Sequence, residues 1–158
     1  MKKYLLMIFT LALVSLSVSA DTKDEALNFF NKYVEGANNY SPAITEMYSP
    51  KAKIIRQVVK PDGTTADAVT DTATYIKQMK IGQAGAKLRH YKNSYSNVSV
   101  EQLSSDTFKV SSLRQPSGED YKLKTYMILK KQPDGKWLIT EEMMQTKVQS
   151  FLRYAEKK

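Results

Sequence analysis

The hydrophobic positions of this chain change period twice, and each change marks a structural boundary. Leu5 to Val18 is a nearly unbroken apolar run behind Lys2 and Lys3. It is shorter than the roughly 20 residues a membrane span requires, and it closes on the small residues Val18-Ser19-Ala20. This is the layout of an export signal, with cleavage expected after Ala20. From Ala26 the period becomes helical. Ala26, Phe30, Tyr33 and Ala37, flanked by Leu27, Phe29 and Val34, recur at helical spacing, so one wide face must be buried. Thr22-Lys23-Asp24-Glu25 has the spacing of a capping box, which places the helix start there and its end at Gly36 to Asn39.

Ser41-Pro42 then offers a capping side chain followed by a proline at the first helical position, and Ile44, Met47 and Tyr48 share a face, which predicts a short second helix. From Ala52 to Lys60 the chain is rich in β-branched residues. It turns at Pro61-Asp62-Gly63 and continues to Val69, the pattern of a hairpin. Asp71 can cap a third helix carrying Tyr75, Ile76 and Met79, which is expected to end at Gly82 and Gly85. After that the alternation is strand-like. Four runs, Leu88 to Val100, Thr107 to Arg114, Tyr121 to Lys131 and Lys136 to Gln145, are separated by Ser/Asp, Pro-Ser-Gly and Pro-Asp-Gly turns, implying an antiparallel meander. Val148, Phe151 and Leu152 suggest a short terminal helix. The whole is an α+β arrangement, a curved antiparallel sheet covered by N-terminal helices, with residues 1–20 as signal peptide and residues 21–158 as one domain.

Composition narrows the setting. The chain has no cysteine, so it carries no disulfide framework, no thiol nucleophile and no lipid-attachment cysteine at the cleavage site. An exported, cysteine-free domain suits a bacterial envelope, periplasmic or secreted, without stable membrane insertion. The formal charge of +8 is spread along the chain, and Lys2 and Lys3 would leave with the signal. A mild positive field favours anionic ligands or an acidic partner. Nucleic acid is excluded as a partner by the export signal and the lack of a binding motif.

Phe29-Phe30-Asn31-Lys32-Tyr33, Met47-Tyr48-Ser49-Pro50-Lys51-Ala52, Asp62-Gly63 before the third helix, and the closing hairpin from Leu129 to Ile139 with Trp137 lie in an order that resembles the NTF2-like superfamily, including the ketosteroid isomerase and SnoaL types. A cystatin-like helix on a sheet is the alternative fold. The resemblance implies a cone whose sheet bends around the helices and encloses a pocket, used by some members for catalysis, by others for binding, and by others not at all. It also implies a homodimer across the convex face, for which the stretch from Tyr91 to Ser99 is the expected contact.

The chemistry available to such a pocket is limited. Acid-base catalysis needs a titratable group within hydrogen-bond reach of substrate, and most carboxylates here fall at turns, caps or strand ends. Glu141 and Glu142 are the exceptions. Because Trp137, Ile139, Glu141 and Met143 share a parity, Glu141 is expected to face the pocket. The single histidine, His90, and its neighbour Tyr91 are the other catalytic candidates, although alternation along a strand sends them to opposite faces. One histidine and no cysteine cannot assemble the usual zinc ligands, so no metal and no cofactor are expected. No Gly-x-Ser-x-Gly elbow and no phosphate-binding glycine loop occurs. The richest resource is aromatic and thioether side chains. Tyr33, Tyr48, Tyr75, Met79, Met127 and Trp137, with Glu141, are the candidate ligand-binding set. The leading expectation is therefore a non-catalytic binder of a small apolar, aromatic or anionic ligand or of a protein partner. The alternatives are an isomerase, dehydratase or cyclase using Glu141, His90 or Tyr91, and a pure interaction module.

Overall fold

The computed structural model describes residues 14–155. Residues 1–13, which hold most of the expected export signal, lie outside the described residues. The first element is a long helix, α1, Val14–Asn38. It runs through the expected capping box at Thr22 instead of starting there, because residues 14–21 contain neither glycine nor proline to interrupt it. A short 3-10 helix, Pro42–Met47, follows, with the Ser41 hydroxyl accepting from the Ala43 amide at 3.3 Å. Then come β1 (Tyr48–Val59), β2 (Thr65–Asp71), the second long helix α2 (Thr72–Leu88), and four strands, β3 (Ser94–Gln102), β4 (Thr107–Gln115), β5 (Leu123–Lys131) and β6 (Trp137–Thr146). A second 3-10 helix, Gln149–Tyr154, closes the described chain.

The six strands form one sheet in the order β2-β1-β6-β5-β4-β3. The hairpin and the meander are antiparallel as expected. The contact that joins them is not: β1 and β6 run parallel, pairing Ile54 with Glu142 and Arg56 with Met144. This seam lays the hairpin against the last strand of the meander and makes the sheet mixed. α1 packs on the inner face, where Ala26, Phe30 and Tyr33 meet Ile54, Phe108, Val110, Met127, Leu129 and Ile139 in one buried core. At one edge, β3 carries a register shift between Ser96 and Ser99 with Asn97 at positive φ, an interruption that blunts edge-to-edge pairing. At the other edge, Ala155 bridges Ala68, so the C-terminal segment covers β2.

α2 begins where the sequence places it. The Asp71 carboxylate accepts from the Thr74 amide at 2.9 Å. It does not end at Gly82 or Gly85. Each glycine costs only about 1 kcal/mol in a helix interior, and Ala84, Ala86, Lys87 and Leu88 sustain the helix beyond them. The stop comes later, where His90 takes a left-handed φ of 49° and the amides of His90 and Tyr91 bond back to the carbonyls of Lys87 and Ala86. His90 is thus an exposed helix-terminating residue, not a strand residue, and β3 starts only at Ser94. Among the described residues no helix is long and apolar enough to cross a membrane.

Candidate functional site

The inner face of the β1–β6 seam carries an unusual concentration of polar groups. Ile54, Arg56 and Val58 alternate inward along β1, so a guanidinium stands in a row of apolar neighbours. Beside it, the Glu142 side chain has no exposed surface. A carboxylate so placed survives only if its lone pairs are engaged, and here both oxygens are. Arg56 Nη1 lies 2.8 Å from Oε1. Oε2 accepts from the Tyr48 hydroxyl and from the Tyr33 hydroxyl, the latter at 3.3 Å. The two phenolic oxygens are themselves 3.2 Å apart. Tyr75 completes the cluster, its ring centroid 4.8 Å from the Arg56 guanidinium carbon and 5.4 Å from the Tyr48 ring in an edge-on arrangement.

The electrostatics follow from this packing. Burial, reinforced by the adjacent Glu142 charge, pushes the Tyr33 and Tyr48 hydroxyls well above the ordinary tyrosine range. Tyr75 moves up as well, again chiefly through burial. Burial alone would weaken the Arg56 cation, but Tyr75 and Glu142 outweigh it, so the guanidinium is held charged. The cluster is an ion pair capped by two neutral phenols.

Arg56 also faces a cavity. A space of about 630 Å³ lies between β1, β2, α2 and the terminal 3-10 helix, with Ile54, Arg56, Tyr75, Met79, Tyr91 and Phe151 among its walls. Its size and largely apolar lining fit a small-molecule site. Glu142 is not part of the wall. It stands behind Arg56, which retains 14% of its side-chain exposure.

No family model and no curated protein matches the chain. Solved structures do. A candidate scytalone dehydratase from Novosphingobium aromaticivorans aligns with a TM-score of 0.60 at 14% identity, covering 82% of this chain and 86% of that one. An NTF2-like protein of unknown function from Shewanella oneidensis gives 0.57 at 12% identity, over 78% and 98%. A candidate ketosteroid isomerase from Shewanella frigidimarina gives 0.54 at 18% identity, over 74% and 91%. The fold is NTF2-like. At these identities the likeness concerns architecture, and the chemistry has to be read from the residues inside the cone.

Those residues differ in part from the ones the sequence pattern selects. Tyr75 and Met79 do line the cavity of the NTF2-like cone. Tyr33, Tyr48 and Met127 are inside the cone but buried in the core behind it. Trp137 sits elsewhere. It packs on Phe108, with centroids 5.6 Å apart, and its Nε1 donates to Glu25 Oε2 at 3.2 Å, tying β6 to α1.

Glu141 requires a correction. Leu129 pairs with Ile139 but Ile128 pairs with Glu141, so Thr140 is an extra residue, a β-bulge that resets the alternation. Ile139 and Glu142 therefore both face inward. Glu141 lies on the convex face, accepting from the Tyr126 hydroxyl at 2.5 Å, while Lys109 Nζ stands 4.5 Å from the Tyr126 ring centroid. His90 and Tyr91 separate as well. His90 is exposed at the end of α2, whereas Tyr91 reaches the cavity, its hydroxyl 3.3 Å from Asn93 Oδ1.

Pattern reading missed Arg56 and Glu142 as a pair. Arg56 was discoverable: it shares its parity with Ile54 and Val58, and a lone charge on an apolar strand face calls for a buried partner. Among the described residues no cluster of three or more His, Asp or Glu side chains could hold a metal ion.

Proposed function

We propose that the mature protein, residues 21–158 after cleavage following Ala20, is an envelope protein, periplasmic or secreted, that binds a small and largely apolar molecule in the cone and leaves it chemically unchanged. The observation that carries this reading is the state of Glu142. A general base must come within hydrogen-bond reach of the proton it takes. Glu142 has no exposed surface, and both its oxygens are already occupied by Tyr33, Tyr48 and Arg56. What the cavity presents to a guest is a positioned guanidinium, the Tyr75 and Phe151 rings and the flexible Met79 thioether. These groups bind and orient.

A second reading is favoured by one observation. The inward carboxylate of this cone is in contact with two phenols, and two of the similar structures bear the names of a dehydratase and an isomerase. For that chemistry Arg56 would have to swing aside and admit substrate to Glu142. Native mass spectrometry of protein purified from its own envelope fraction separates the readings. A released molecule identical before and after incubation with the protein supports binding. A molecule converted on incubation, with conversion lost in Glu142→Gln, favours the enzyme.

A further inference from the structure

The charge pattern around the cavity restricts what it accepts, an inference that rests on the binding reading above. Two charged residues, Arg56 and Asp71, contribute to the cavity wall. The Arg56 cation is paired at 2.8 Å with the fully buried Glu142. Asp71 caps α2 through the Thr74 amide and hydroxyl, at 2.9 and 2.8 Å, contacts that hold its carboxyl below the usual range and keep it ionised. Arg56 and the buried Glu142 therefore cancel within the cavity, and Asp71 adds its negative charge only at the exposed rim. Exposed cations stand near the mouth as well: Lys53, open to water, is the cross-strand partner of Asp71. Arg153 lies exposed over the Tyr154 ring at the cavity wall, and both Nη atoms of Arg114 are engaged elsewhere, by Asn93 Oδ1 and the Gln145 carbonyl, each at 2.9 Å.

We infer that the cavity selects electrically neutral ligands, an apolar or aromatic body bearing a hydrogen-bond acceptor for Arg56, and discriminates against anions despite the basic surface of the protein. An anion entering the site must shed its hydration in a mostly apolar space. The attraction of Arg56 that would offset this cost is largely cancelled by the Glu142 carboxylate 2.8 Å behind it. A neutral carbonyl or hydroxyl loses far less on desolvation and still accepts from the guanidinium. The exposed charges around the mouth, Asp71, Lys53 and Arg153 among them, stand in water, where salt screens them.

A matched pair of fluorescent probes tests this: neutral N-phenyl-naphthylamine and anionic anilinonaphthalene sulfonate, which differ in the sulfonate. Both are titrated into the protein, and binding is taken as the part abolished in Gly82→Leu, a wall position where an added Cβ meets nothing within 4 Å. The naphthylamine should bind at least about tenfold tighter than the sulfonate. Glu142→Gln should narrow that gap by strengthening the sulfonate. Asp71→Asn, which keeps a good helix cap while removing the charge, should do the same where Glu142→Gln folds poorly. Sulfonate binding equal to or tighter than naphthylamine binding, or a gap unmoved in both variants, overturns the charge selectivity and leaves the pocket standing. If neither probe binds, the pocket reading falls and this inference with it.

Discussion

Arg56 Nη1 stands 2.8 Å from Glu142 Oε1 across the parallel seam of β1 and β6, so the polar centre of the cone is also the joint between the hairpin and the meander. Two segments distant in sequence meet there through a charge pair that neither could bury alone. Breaking a buried pair from one side leaves the other charge uncompensated, which costs about 3 to 5 kcal/mol.

Arg56→Met should therefore lower stability by that order, and Glu142→Leu by a comparable amount. The double variant should lose clearly less than the sum, because no charge is stranded and the Tyr33 and Tyr48 hydroxyls, 3.2 Å apart, can bond to each other. Urea denaturation of the four proteins measures the coupling. Strictly additive losses would show that the pair is not energetically joined.

Alkaline stability is a second expectation. Tyr33, Tyr48 and Tyr75 have folded-state pKa values raised by burial. Below the unfolded tyrosine pKa of about 10 these phenols are protonated in both states, so their contribution is fully present. Above it the unfolded chain ionises while the folded chain does not, and stability falls as pH rises. Melting temperature against pH should drop steeply on the alkaline side, and less steeply in Tyr48→Phe. Tyrosinate absorbance from the buried residues should appear together with unfolding. Its appearance while the fold is intact would contradict the burial of the cluster.

Gly82 offers a variant whose effects on stability and binding should oppose each other. It lies within α2 at the cavity wall with open space around its missing Cβ. Gly82→Leu should raise helix stability by about 0.5 to 1 kcal/mol and weaken binding of a neutral apolar probe by filling the site. Thermal melts and probe titration on the same preparation check both effects. Unchanged probe affinity in a stabilised variant would place the binding site elsewhere.

Much of this architecture was legible in the residue pattern, for reasons that are local. Ser41-Pro42 and Asp71 announce helix starts because their side chains bond amides a few residues on. Asp62-Gly63 and Asp134-Gly135 announce turns because both glycines take positive φ, at 82° and 84°. What escaped depends on partners distant in sequence. The parallel β1–β6 seam has no local signature. The bulge at Thr140 is invisible to alternation counting, and that one extra residue exchanges the fates of Glu141 and Glu142. Helix α2 outlasts Gly82 and Gly85 because its remaining residues favour helix, which moves His90 from a strand to a helix terminus. The cavity itself needs Phe151 and Tyr154 from the far end of the chain to close it.

The most direct measurement of whether the cone binds or transforms its guest is to strip the protein of the molecule it carries from its envelope, return that molecule to wild-type and Glu142→Gln protein, and follow both binding and chemical identity. Binding without catalysis predicts that the molecule comes back unchanged from both, with affinities within about tenfold of each other. Conversion by the wild type that falls about 100-fold or more in Glu142→Gln while binding persists would contradict it.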